Sequence, residues 1–121
     1  MPSQRQEVER RRRMLRQRLR ALSVGPLMRG SIVSRRRRCG RKSCACARED
    51  RARHPGKFLA VHLSGRTEVL HLRPQDEPHV RQAIGAYERL WTVVNELTAC
   101  EIADLRREAR ERRRARRRQR T

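Results

Sequence analysis

Aromatic side chains are nearly missing from this chain: Phe58, Tyr87 and Trp91 are the whole complement in 121 residues. Proteins that grip single strands through their bases usually offer several rings for stacking. Phe58 is the one ring on a predicted strand, so phosphate contact is expected over base reading. Negative charge is also scarce. Thirteen acids face 33 basic residues, a formal net charge of +20. Self-repulsion of that size opposes compaction unless polyanions or counterions offset it. No stretch approaches the ~18 apolar residues of a membrane span, and residues 1–22 hold no apolar run of signal-peptide type. The chain is therefore expected in the cytoplasm, without a membrane partner. No phosphate-binding glycine loop, dinucleotide fingerprint, nucleophile elbow or His-Glu-x-x-His pattern occurs, and an enzyme is not expected.

What is there in excess is arginine. All basic residues except Lys42 and Lys57 are arginine. A GC-rich coding bias can favour arginine over lysine but does not create the surplus. A sequence pI near 11.8 with clustered basic residues is the footprint of nucleic-acid binding. Residues 1–73 carry 21 basic and 5 acidic side chains, residues 74–105 carry 2 and 6, and residues 106–121 carry 10 and 2. An acidic helical middle between basic arms fits a folded centre with solvated arms.

Residues 4–22 read as a helix in which Val8, Leu15, Leu19 and Leu22 form a narrow apolar stripe among arginines. Gly25-Pro26 ends it. Residues 30–38, 57–63 and 66–72 read as strands, the last two joined at Ser64-Gly65 as a tight hairpin. Leu59, Val61 and Leu63 share one face; Phe58, Ala60 and His62 share the other. Three strands do not bury a face alone. Pro74, Asp76 and Glu77 start the helix that covers them. Its apolar pattern (Val80, Ala83, Ile84, Tyr87, Leu90, Trp91, Val94, Leu97, Thr98, Ile102, Leu105) runs within about 76–118 and is wide enough for two contacts. The arginine-rich end from Arg112 onward is expected to stay without structure until it meets a counter-charge. Glu88, Glu96, Glu101 and Asp104 are expected on a solvated flank. The predicted fold class is α+β: a small three-stranded antiparallel sheet with a cysteine loop, packed on a long C-terminal helix, plus an N-terminal basic helix. The organisation expected is a basic helix over 1–23, a cysteine-loop, hairpin and helix domain over 24–105, and an arginine-rich extension over 106–121.

Three of the four cysteines, Cys39, Cys44 and Cys46, fall within eight residues, directly after Arg35, Arg36, Arg37 and Arg38. In a reducing compartment, clustered thiols more often hold metal than form disulfides. A structural zinc takes four N or S ligands. The three cysteines supply three, and His54 is the nearest candidate for the fourth. Arg38, Arg41 and Lys42 would favour the thiolate that metal requires. A metal-free loop of small apolar cysteines and a redox thiol pair stay open as alternatives. Cys100, on the helical apolar face, reads as a small hydrophobe. His62 and His71 read as strand residues and His79 as an exposed one.

The order Arg29-Gly30-Ser31-Ile32-Val33, Cys39-Gly40, Cys44, Cys46, His54 near Gly56, the hairpin at Gly65-Arg66-Thr67 and a long helix with Tyr87 resembles a family of small bacterial and archaeal proteins known as a domain of unknown function (DUF6788). The resemblance covers residues 28–105. The family usually shows His-Gly-Pro followed by several tyrosines; here the order is His54-Pro55-Gly56, with Phe58 the remaining ring. It implies the architecture and carries no activity over.

The function expected is nucleic-acid binding, DNA or RNA, through phosphate contacts from Arg35, Arg36, Arg37, Arg38, Arg41 and Lys42. Arg112, Arg113, Arg114, Arg116, Arg117 and Arg118 extend the footprint, and a zinc clasp holds the loop. A DNA-binding chain of this kind would be nucleoid-associated. The competing expectation is a protein-interaction module, in which residues 80–105 form a coiled-coil homodimer or bind a partner such as a transposase or regulator.

Overall fold

The computed structural model describes residues 1–120. In chain order it holds helix α1 (Gln4–Val24), strand β1 (Ser31–Arg37), two short 3-10 turns (Ala45–Ala47 and Asp50–Ala52), strands β2 (His54–Leu63) and β3 (Arg66–Leu72), and helix α2 (Glu77–Arg120). The class is α+β, with a three-stranded antiparallel sheet in the order β1-β2-β3. Contacts divide the chain into two units: Leu27–Ala86, and Met1–Pro26 together with the chain from Tyr87 onward.

In the unit Leu27–Ala86, the strands pair in a register set by the hairpin. Leu63 faces Arg66, leaving Ser64 and Gly65 as a two-residue turn. Both take positive φ, 48° and 80°, the backbone sense that matches the twist of the flanking strands. β2 begins at His54, three residues before the expected strand. The β1 ladder runs on through Arg35↔Gly56, Arg36↔Pro55 and Arg37↔His54. β3 ends opposite Lys57, so Pro55 lacks a donor where no second ladder needs one.

One sheet face is covered. Leu59, Leu72 and Val80 are buried there, with Met28, Ile32, Val61 and Ile84 packed against them. Val80 and Ile84 belong to the first turns of α2, so the helix covers the sheet as the apolar pattern predicts. Gly30 is forced by packing. A Cβ there would lie 3.0 Å from Val61 Cγ2 and 3.1 Å from both the Ala60 oxygen and Leu59 Cδ1.

In the other unit, α1 opens with a capping box. Ser3 Oγ accepts from the Gln6 amide, and Gln6 Oε1 accepts from the Ser3 amide; the Ser-x-x-Gln pattern signals it. The Leu stripe finds its partner within the chain. Leu15, Val93 and Cys100 are buried together, with Val8, Leu19, Leu22 and Leu97 against them. Arg110 reaches Gln4 while Arg11 reaches Glu96, so the helices run antiparallel.

Two expectations fail in this unit. Of the four carboxylates expected on a solvated flank, Glu88 and Glu101 are exposed, but Glu96 and Asp104 are half-buried and bind Arg11 and Arg12. Arg12, only 6% exposed, reaches Glu9, Glu101 and Asp104, and Asp104 also accepts from Arg107 at 2.8 Å. The arginine-rich end is also helical to Arg120. Extending a formed helix costs far less than starting one, arginine is a good helix former, and Glu111 lies 3.7 Å from Arg107 one turn before.

Candidate metal centre

The cysteine loop closes the open end of the β1–β2 pair. β1 ends at Arg37, β2 starts at His54, and these two residues face each other in the ladder. Cys39 lies just past the end of β1, and His54 is the first residue of β2. Cys44 and Cys46 come from the turn between, where Cys44 N–H donates to the Arg41 oxygen at 3.2 Å and Ala47 N–H to the Cys44 oxygen at 3.1 Å.

The four side chains singled out in the sequence converge. The Sγ atoms of Cys39, Cys44 and Cys46 and one ring nitrogen of His54 all lie within 4.8 Å of one another. Cys39 and Cys46 sulfurs are 3.5 Å apart, and Cys44 Sγ is 3.3 Å from His54 Nε2. A tetrahedral zinc with Zn–S bonds of about 2.3 Å sets its sulfurs about 3.8 Å apart. The donor set and spacing are compatible with a metal site of the Cys3His type. All four cysteines are free thiols.

Backbone amides prepare the sulfurs. Gly40, at φ +87°, turns the chain so that the Arg41 amide meets the Cys39 sulfur. The Cys46 amide meets the Cys44 sulfur in the same i to i+2 relation. An amide pointed at sulfur favours the thiolate. Cys44 is drawn down to about 6, first by the Cys46 amide and then by His54. Cys39 is lowered by the Arg41 amide and the Cys46 thiol. Cys46, with no exposed surface, goes the other way. The Cys39 amide lowers it, but burial and the two neighbouring thiols prevail. His54 is raised, chiefly by Cys44 and then Cys39.

The basic residues around the loop divide by role. Arg36, although exposed, folds back on the loop, its Nη2 donating to the Arg51 and Arg53 carbonyls at 3.0 and 3.1 Å. Arg38 and Arg53 both bind Asp50, at 2.9 and 3.1 Å. These arginines brace the loop. Arg35, Arg37, Arg41 and Lys42 are exposed and form no ion pair among the described residues. Arg112, Arg113, Arg114, Arg116, Arg117 and Arg118 are exposed on the last turns of α2. They belong to the other unit, as does Cys100, which is buried beside Leu15. His62 lies 3.3 Å from the Thr67 hydroxyl, and His79 is exposed.

His71 is the residue whose placement ring counting misses. It stands opposite Phe58 in the ladder, edge-on with centroids 5.3 Å apart. A two-residue turn at Ser64-Gly65 already implies that pairing, because it fixes which β3 residue faces each β2 residue.

The profile described as "Domain of unknown function (DUF6788)" matches residues 5–82, and the chain belongs to that family. The match takes in α1, the cysteine loop, all three strands and the first turns of α2. Searches of curated proteins and of solved structures find no match. No helix among the described residues is long and apolar enough to cross a membrane.

Proposed function

We propose that Cys39, Cys44, Cys46 and His54 hold one structural zinc ion, and that the module so clasped binds nucleic acid through its phosphates. The observation that carries the first part is the convergence of three sulfurs and an imidazole nitrogen within 4.8 Å. Four protein ligands with no open position is the pattern of a structural zinc, not a catalytic one, so the ion would lock the loop that joins β1 to β2. The second part rests on charge. Arg35, Arg37, Arg41 and Lys42 are exposed around the clasp, on a chain of net charge +20. Arginine presents a planar fork that matches phosphate oxygens. In this reading the chain is a cytoplasmic nucleic-acid-binding protein without catalytic activity.

Metal analysis of purified protein tests the clasp: one zinc per chain is expected, falling well below stoichiometric in Cys44→Ser. Titration of duplex and single-stranded oligonucleotides between about 50 and 200 mM salt tests the binding. Roughly four phosphate contacts imply an affinity loss of about 10² over that range. A flat salt response, or no binding, removes the nucleic-acid reading and leaves the clasp standing.

A second reading has its own support. Trp91, Ile102 and Leu105 on α2 are 54%, 42% and 64% exposed, a residual apolar stripe suited to a protein partner. Light scattering of the full chain against Trp91→Ser with Leu105→Ser separates the two: dissociating oligomers favour interaction.

A further inference from the structure

The sheet has one face that nothing covers. Leu59 and Leu72 turn toward α2; the residues that alternate with them do not. Val33, Phe58 and Ala60 are half-buried there, Arg35, Arg37, His62, Val69 and His71 are exposed, and no side chain of this face is buried. The strands place no carboxylate on it: Glu68 of β3 lies opposite Val61, on the covered side.

The centre of that face is one aromatic ring in a prepared setting. Gly56 precedes Phe58 by two residues on the same side of β2. A Cβ at Gly56 would stand 3.3 Å from Phe58 Cε2 and 3.7 Å from Cζ. Glycine thus leaves room for the ring to lie back along its own strand instead of standing upright. His71 meets the ring edge-on, with 71° between planes. The Arg37 guanidinium, from the opposite side, lies 5.8 Å from the ring centroid. A planar cation thus already lies over the ring, at cation–π distance. Arg37 has no carboxylate partner among the described residues, so a base can take its place while the guanidinium moves to the adjoining phosphate. From there a shallow groove lined by Arg37, Arg41, Ser43, His54 and His71 continues to the cysteine loop, giving the strand's backbone a basic path.

We propose that this open face stacks an unpaired nucleobase on Phe58, beside His71 and with Arg37 on the adjoining phosphate, so that single-stranded nucleic acid is the preferred ligand. The proposal rests on the nucleic-acid reading above and sharpens it. Duplex bases are stacked on each other and offer no free face to a protein ring. Single strands do, and each base–aromatic stack carries a measurable share of affinity. Counting rings in the sequence leads only to sequence-blind phosphate contact. Around one phenylalanine, however, a histidine and an arginine can supply the planar surfaces that further rings supply elsewhere.

The test uses the full chain and labelled oligonucleotides, one set DNA and one RNA, as single strands, as duplexes, and as single strands with abasic positions. Phe58→Leu keeps an apolar side chain on the strand and removes the π face. Its affinity for single strands is expected to fall about 5- to 100-fold, with duplex affinity and salt slope unchanged. The abasic strand should bind both proteins equally. Phe58→Trp in a Trp91→Phe background supplies a single indole reporter within the folded protein; its emission should be quenched by single strands and not by duplex. Equal losses for single strand and duplex in Phe58→Leu, no loss in either, or indole emission that stays unquenched on single-strand binding would overturn the proposal while leaving phosphate binding intact. Absence of all oligonucleotide binding would instead overturn the underlying reading, and this proposal with it.

Discussion

Removing Asp104 should cost this protein much more than removing the arginine it neutralises. Arg12 is 6% exposed, and its guanidinium is shared among Glu9, Glu101 and Asp104. Glu9 and Glu101 are more than half exposed, at 53% and 64%, so water screens much of what they contribute. Glu101 lies 3.2 Å from Nε, although that nitrogen finds no aligned hydrogen-bond acceptor. Asp104, at 21% exposure, is the partner that offsets most of the buried charge. Deleting one partner of a buried pair costs about 3–5 kcal/mol. With two screened acids remaining, Asp104→Ala should lose about 2–4 kcal/mol, or roughly 10–20 °C in Tm for a chain of this size. Arg12→Met removes the buried charge itself and fills most of its volume. Asp104 then keeps Arg107 at 2.8 Å, and the glutamates hydrate. That change should stay within about 1 kcal/mol of wild type, in either direction. The double variant should be more stable than Asp104→Ala alone. Urea unfolding followed by far-ultraviolet circular dichroism, with a double-mutant cycle, measures all three. Equal losses in the two single variants, or additive losses in the double, would refute the argument that Asp104 is needed because Arg12 is buried.

The same pair has a pH signature. Arg12 first, and then Arg107, hold Asp104 below the usual carboxylate range. Its contribution is therefore complete above the unfolded-state value near about 4 and disappears as pH falls through the lower folded-state pKa. The stability gap between wild type and Asp104→Asn should be constant from about pH 7 to about 5 and close below about 4; a gap already closing near about pH 6 would contradict it. Gly30→Ala pushes a methyl to 3.0–3.1 Å from Val61, Leu59 and the Ala60 carbonyl, and should lose about 1–3 kcal/mol; an unchanged unfolding midpoint would show that β2 yields. Gly65→Val forces a branched side chain to φ near 80° and should lose about 1–2 kcal/mol, checked by the same denaturant titration.

Much of the cysteine site was legible because its candidate ligands are close along the chain. Cys39, Cys44 and Cys46 span eight residues, so any compact turn brings them together, and His54 is the first histidine after them. The hairpin was legible for the same local reason: Ser64-Gly65 is a turn in any context, and with it came the alternation of Leu59 and Phe58 between faces. The wide apolar pattern after Val80 announced two contacts, and the helix makes both, one with the sheet through Val80 and Ile84 and one with α1 through Cys100 and Val93, a residue the pattern passed over for Val94.

What the residues alone determined is thus what short-range chemistry determines: strand and helix periods, the turn, the capping box, and a set of soft ligands beside a surplus of arginine. Tertiary structure decided which arginines bind groups of the protein itself, as Arg12 and Arg36 do. Arg12 and Arg36 look like their neighbours in sequence, since every one of them carries the same charge and stem. Only the carboxylate from a distant turn of α2, or the carbonyls of residues 51 and 53, separates them from Arg13 or Arg37. It also decided that Phe58 is not a solitary ring. His71 and Arg37 come from the two flanking strands, and it takes strand pairing to bring three residues so far apart in sequence around one exposed surface.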